Sequence, residues 1–151
     1  MRILITVITL FWVSLSFGQL EDPVKWTSKI IKVSETEYDL VFKATIEKDW
    51  HLYSSFNPEG ASLPIEFDGE QIGKAFELVG KPKESKTHKE YSKTWGKEEI
   101  FFIKNATITQ RIKLKDFKTS TLKLTIYAQA CKTSCIQIEH DFEFDLSSFT
   151  L

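Results

Sequence analysis

The sequence predicts an all-β domain, an antiparallel sandwich of short strands. Three observations carry that expectation. Several windows alternate apolar and polar residues with a period of two, the mark of strands with one buried face. No window has a convincing helical period. The four prolines and six glycines fall mostly between the alternating windows, as in "FNPEGASLP" and "GKPKES", where the chain must turn.

The elements follow in order. "KWTSKIIKVS" is a weak first strand. In "TEYDLVFKATIEK", Tyr38, Leu40, Phe42, Ala44 and Ile46 share one face, and the other face is polar apart from Val41. "FELVG" and "EEIFFI" are short strands. "ATITQRIKLK" turns Ala106, Ile108, Ile112 and Leu114 inward. "STLKLTIYAQA" does the same with Leu122, Leu124, Ile126, Ala128 and Ala130. "CIQIEHDFEFDL" closes the set with Ile136, Ile138, Phe142, Phe144 and Leu146. His140 has inward parity and is expected in the core. The stretch 80–97, "GKPKESKTHKEYSKTWGK", reads as the longest non-strand segment. It is polar and Lys-rich, yet it holds Tyr91 and Trp95, and aromatic rings in such a loop need something to cover. Short strands separated by turn signals define a sandwich.

The chain has 151 residues, 42% of them hydrophobic, which suits one domain. Twenty basic residues against 21 acidic ones give a formal charge of −1, so nothing favours nucleic acid as a partner. Residues 1–18 read as a secretory signal peptide. Arg2 is the basic start, residues 3–13 are apolar, and Ser16 and Gly18 sit before the cut. The apolar run is shorter than the roughly 20 residues a bilayer span needs. Removing residues 1–18 deletes Arg2 alone among the charges, leaving 19 basic and 21 acidic residues, a charge of −2. Nothing after Gln19 is apolar enough to span a membrane. The mature domain, 19–151, is expected to be soluble in an oxidising compartment, where disulfides persist.

The two cysteines lie together in "YAQACKTSCIQ". Strand parity puts Thr125, Tyr127, Gln129 and Cys131 on the polar face of one strand and Cys135, Gln137 and Glu139 on the polar face of the next. Lys132, Thr133 and Ser134 form the hairpin connection. The sulfurs then meet at the hairpin mouth. Opposed Cβ atoms lie about 4.5–5.5 Å apart, while a relaxed disulfide prefers about 3.8 Å. A ring of about five residues stabilises by only roughly 2 kcal/mol, and strained or exposed disulfides tend to be labile. On geometry alone a structural staple and a redox site both stand. Zinc needs a second ligand pair, and His51, His88 and His140 are scattered, so no metal or other cofactor is expected. The spacing is not C-x-x-C, so the thioredoxin-type motif is absent.

A second tract narrows the choice. "EKDWHLYSSFNPEG" follows the first clear strand, and "WGKEEIFF" precedes a later one. With the late cysteine pair, they resemble the N-terminal periplasmic domain of the thiol:disulfide interchange protein DsbD, over about 23–146. The resemblance implies an immunoglobulin-like sandwich and a periplasmic relay of electrons from a membrane-embedded donor to disulfide-bearing acceptors. It implies that Cys131 and Cys135 are the redox pair, that Cys135 bonds to partners, and that Cys131 resolves. Tyr53 and His51 match aromatic positions beside the disulfide. Tyr91 and Trp95, in "EYSKTWG", match a cap loop that shields the sulfurs. Trp50 reads as ordinary core. Many family members place prolines after the second cysteine, where this chain has "IQIE". The membrane domain and the thioredoxin-like domain of the full protein do not follow in this chain, so thioredoxin-like partners and the membrane donor are expected as separate proteins. The expected activity is thiol:disulfide interchange. The alternative is a secreted immunoglobulin-like binding module whose hairpin disulfide is purely structural.

Overall fold

A computed structural model of the chain describes residues 22–149, so the expected leader, 1–18, lies outside the described residues. Ten strands run in chain order: β1 (Val24–Lys32), β2 (Glu37–Ile46), β3 (His51–Tyr53), β4 (Glu66–Asp68), β5 (Phe76–Glu84), β6 (His88–Ser92), β7 (Lys97–Phe102), β8 (Asn105–Leu114), β9 (Thr121–Cys131) and β10 (Cys135–Asp145). A 3₁₀ turn, Ser147–Phe149, follows. One sheet has the order β1-β2-β8-β5. The other has the order β10-β9-β3-β7-β6, with β4 also paired to β9. All the strand ladders are antiparallel. The result is an immunoglobulin-like sandwich.

The period-two windows form the long strands, and their apolar faces meet in one core. Phe42 sits at its centre, fully buried, with its ring 4.8 Å from Phe142, 5.6 Å from Phe67 and 5.9 Å from Phe144. Burying such a side chain stabilises the fold by about 1.5–3 kcal/mol. Trp50 lies in the same core, as expected. Gln110 continues the inward row of β8 and is 1% exposed. Its Nε2 donates to the carbonyl oxygens of Arg111 at 2.8 Å and Val79 at 3.4 Å, which lowers the cost of burying the amide.

Two expectations change, and two short strands appear that the sequence did not mark. The stretch 80–97 is mostly strand: β5 runs on to Glu84, and β6 and β7 make a hairpin around the turn 93–96. Its polar composition hid this, because β6 lies at the sheet edge and most of its side chains face water. The strands β3 and β4 are too short for any period to show. His140 is exposed, with its ring 4.6 Å from Phe142. It sits on the edge strand β10, where Ile136 and Ile138 on the same face are themselves only half-buried, so inward parity there leads to the margin of the core.

The outer face of the four-stranded sheet carries a bidentate ion pair. Arg111 donates from Nε to Asp39 Oδ1 at 2.6 Å and from Nη2 to Oδ2 at 3.1 Å. The guanidinium hydrogen bonds hold the Asp39 carboxyl below its usual range, against the opposing effect of burial. A carboxyl with a lowered folded pKa stabilises the fold fully above the unfolded value, about 3.9. That stability is lost as pH falls through the lowered folded value. Asp39→Asn is therefore expected to destabilise the protein at pH 7 and to lose that deficit progressively as the pH falls below about 3.9. Urea unfolding of both proteins across that range checks it, and a deficit independent of pH contradicts the assignment.

Candidate functional site

The hairpin β9–β10 closes with Cys131 directly opposite Cys135 and Gln129 opposite Gln137. On its other side β9 pairs with β3, which sets His51 opposite Cys131. Cys135, Cys131 and His51 thus form one row across three strands, on the face turned away from the core. The sulfurs are joined, with Cα atoms 4.0 Å apart. The turn between them is held by the Lys132 N–H donating to Ser134 O at 3.0 Å. The two cysteines differ sharply in access. Cys131 is 7% exposed and packs in a second apolar cluster with Tyr53, Phe101 and Ile103. Cys135 is exposed at the start of an edge strand.

The outer cluster follows from two adjacent aromatic residues in β7. Neighbouring strand residues point to opposite faces. Phe102 enters the main core, and Phe101 goes outward beside the disulfide. His51 stacks on Phe101 with centroids 4.2 Å apart and planes inclined by 14°. His88 lies near the same ring at 6.2 Å, and Tyr53 meets it edge-on at 6.3 Å. A cleft of about 370 Å³ opens over this group, bordered by His51, Tyr53, Glu90, Tyr91, Glu99 and Phe101 among others. Glu90 and Glu99 are directly opposed in the β6–β7 ladder. Glu99 is 8% exposed and accepts the Ser62 N–H at 3.0 Å. Burial raises the Tyr53 phenol above its usual range, a hydrogen bond with Ser62 opposes this, and the carboxylates of Glu99 and Glu90 add to the rise. At neutral pH Tyr53 therefore stays a protonated phenol.

The loop 54–65 flanks the site and is held by polar side chains. Glu84, from the opposite sheet, accepts Ser54 Oγ at 2.6 Å, Ser55 N–H at 2.9 Å and Ser55 Oγ at 2.5 Å. Asn57 donates to Ser62 O at 2.6 Å and accepts the Ile100 N–H at 2.7 Å. The Leu63 N–H donates to Gln129 Oε1 at 2.7 Å, which ties the loop to the strand that carries Cys131.

The structure thus brings His51 and Tyr53 to Cys131, and Tyr91 to the border of the cleft. Tyr91 is 65% exposed. Trp95 sits in the β6–β7 turn, is 49% exposed, and is not among the residues bordering the cleft. Phe101, Glu99, Glu84 and Leu63 were not singled out from sequence, and Gln129 was placed only by its parity with Cys131. Only Phe101 had a usable signal, since two adjacent aromatics in a strand must send one ring to each face. Among the described residues, no group of three His, Cys, Asp or Glu side chains is placed to hold a metal ion.

A two-sheet sandwich with a disulfide across an outer-face hairpin mouth and an aromatic cluster under one sulfur defines a class of disulfide-bearing, immunoglobulin-like domains. The chain belongs to the family described as "Thiol:disulfide interchange protein DsbD, N-terminal", whose sequence profile matches residues 21–147. Among solved structures it is similar to the N-terminal periplasmic domain of ScsB from Proteus mirabilis, with a TM-score of 0.64 and 16% identity. That match covers 83% of this chain and 47% of that one, so the chain spans about half the ScsB chain's length. It is also similar to the N-terminal domain of Neisseria meningitidis DsbD in the reduced form, with a TM-score of 0.51 and 16% identity, over 83% of this chain and 90% of that one. No curated protein gives a match to the chain.

Glu84→Ala removes three hydrogen bonds to one carboxylate and leaves the fully buried Ser54 hydroxyl short of an acceptor. The expected cost is about 1–3 kcal/mol, with faster amide exchange in 54–57 than elsewhere. Urea unfolding and hydrogen exchange check this, and exchange unchanged in that loop counts against the clamp.

Proposed function

We propose that the domain is a thiol–disulfide exchange module whose reacting bond is Cys131–Cys135. Family membership supports the reaction class. The observation that carries the division of labour is the unequal burial of the two sulfurs' residues. A thiolate displaces a disulfide through a mixed disulfide, and access decides which sulfur is attacked. Cys135 stands open at the edge strand, while Cys131 is enclosed by Tyr53, Phe101 and Ile103. An incoming partner thiolate bonds to Cys135 Sγ, the Cys131–Cys135 bond breaks, and its electron pair leaves on Cys131. The partner's second thiolate then attacks the mixed disulfide and leaves oxidised, with the domain as a dithiol. In the other half-reaction the Cys135 thiolate attacks an acceptor's disulfide, and Cys131, held between β3 and β10, attacks that mixed disulfide and releases the acceptor as a dithiol.

In this reading Tyr53 and His51 line the leaving sulfur. The neutral Tyr53 phenol is a donor that eases charge on the Cys131 thiolate. Tyr91 and Trp95, on the β6–β7 hairpin, guard the cleft side of the pair, toward Cys131, and leave Cys135 open to a partner. The partners are thioredoxin-like proteins and a membrane-embedded electron donor. The compartment is the periplasm, reached through a cleaved leader at residues 1–18, with 19–151 as the mature domain. No helix among the described residues is long and apolar enough to cross a membrane.

Cys131→Ala leaves Cys135 as a lone thiol. It is expected to accumulate a stable mixed disulfide with a partner in a periplasmic extract, while Cys135→Ala is not. Trapping through Cys131 instead reverses the assigned roles.

The reduction potential separates exchange from a purely structural bridge. A value less negative than about −300 mV is expected for an exchange centre, and structural bonds lie below it. Equilibration against glutathione and dithiothreitol buffers measures it.

A further inference from the structure

Beside the disulfide, on the same outer face, lies a small apolar cavity. It measures about 180 Å³ and is bounded by Leu63 and Pro64 of the loop, Tyr127 and Ala128 of β9, and Gln137 and Ile138 of β10, with Glu66 also on its border. An apolar cavity of about 150 Å³ is large enough to hold benzene, so this one accommodates a single aliphatic side chain. Two large apolar residues bordering it are left open to water, Leu63 at 47% and Tyr127 at 40% exposure. The loop side is fixed rather than loose, because the Leu63 N–H is bonded to Gln129.

The position matters as much as the size. Gln137 is two residues beyond Cys135 on β10, and it pairs with Gln129, two residues before Cys131 on β9. The cavity therefore begins one outer-face row from the sulfurs, about 6.5–7 Å along the strands. An extended peptide has the same repeat: residues i and i+2 project to one side and lie about 6.5–7 Å apart. A chain laid over this face with its cysteine sulfur at Cys135 thus carries its second-nearest side chain over the cavity.

We propose that this cavity is a specificity subsite that takes an aliphatic side chain two residues from the partner's reacting cysteine. The inference rests on the exchange reading above and names what that site prefers. In the balanced step, the peptide thiolate bonds to Cys135 Sγ, the Cys131–Cys135 bond breaks, and Cys131 departs as a thiolate that takes a proton from water. The subsite takes no part in bond making. It lowers the barrier by holding the attacking chain in place.

The test uses the oxidised protein and defined thiols. The probes are the capped peptides Gly-Gly-Cys-Gly-Leu-Gly and Gly-Leu-Gly-Cys-Gly-Gly, their all-glycine equivalents, and dithiothreitol. One leucine peptide is expected to open the disulfide at least about tenfold faster than its glycine equivalent, since a single methylene in an apolar pocket discriminates by that order. Gln137→Trp, at an exposed position, fills the cavity, and Leu63→Ser strips one wall. Both variants are expected to abolish the leucine preference and leave the dithiothreitol rate unchanged. Equal rates for leucine and glycine peptides in the wild type overturn the subsite while leaving the exchange reading intact. So does a preference that survives Gln137→Trp. Failure of every thiol, dithiothreitol included, to open the bond overturns the exchange reading and the subsite with it.

Discussion

The ladder between β9 and β10 runs unbroken from Cys131 opposite Cys135 to Thr121 opposite Asp145. A strand has a period of two, so a slip of one residue in this pairing turns every side chain to the wrong face. The inward residues Leu122, Leu124, Ile126, Phe142 and Phe144 are all buried in the core, and they fix the pairing. The same pairing is what sets one cysteine against the other. The chemistry at the hairpin mouth is thus specified by apolar packing at the far end of the strands. Little needs to be arranged locally beyond the three-residue turn.

The asymmetry between the sulfurs has a topological origin. Cys131 belongs to an interior strand with neighbours on both sides, and Cys135 to the outermost strand. Any hairpin at the margin of a sheet has one inner and one outer arm. Here the inner arm also lies beneath Phe101, which leaves the core because Phe102 occupies the inward position. Burial of one sulfur and exposure of the other therefore need no special device. They arise from strand order and from one adjacent aromatic pair.

Much of this was legible in the sequence. The long alternating strands from Tyr38 to Ile46, Leu122 to Ala130 and Phe142 to Phe144 fall where their period places them, and the cysteines oppose each other as parity requires. What escaped notice has physical causes. β6 lies at the edge of its sheet with a mostly exposed, polar surface, so no hydrophobic pattern marks it. β3 and β4 span three residues each, too few for a period. His140 obeyed the parity rule but stood where the core ends. The partners of Glu84, Glu99 and Gln129 lie 29 to 66 residues away in sequence, and contacts at that distance are made by topology, not by any local pattern.

The pairing of β5 with β8 shifts register between Val79 and Lys83, at Gly80, whose φ of +67° favours a residue without a Cβ. Such a bulge bends its strand and leaves backbone groups without ladder partners. The buried Gln110 amide reaches Val79 O at this gap and so fills part of it. Beyond the gap, β5 carries Glu84, whose carboxylate holds Ser54 and Ser55 of the opposite sheet's loop. The sheet without the disulfide thereby anchors the start of the loop 54–65, through a strand that carries one bulge and one buried amide on its way to Glu84.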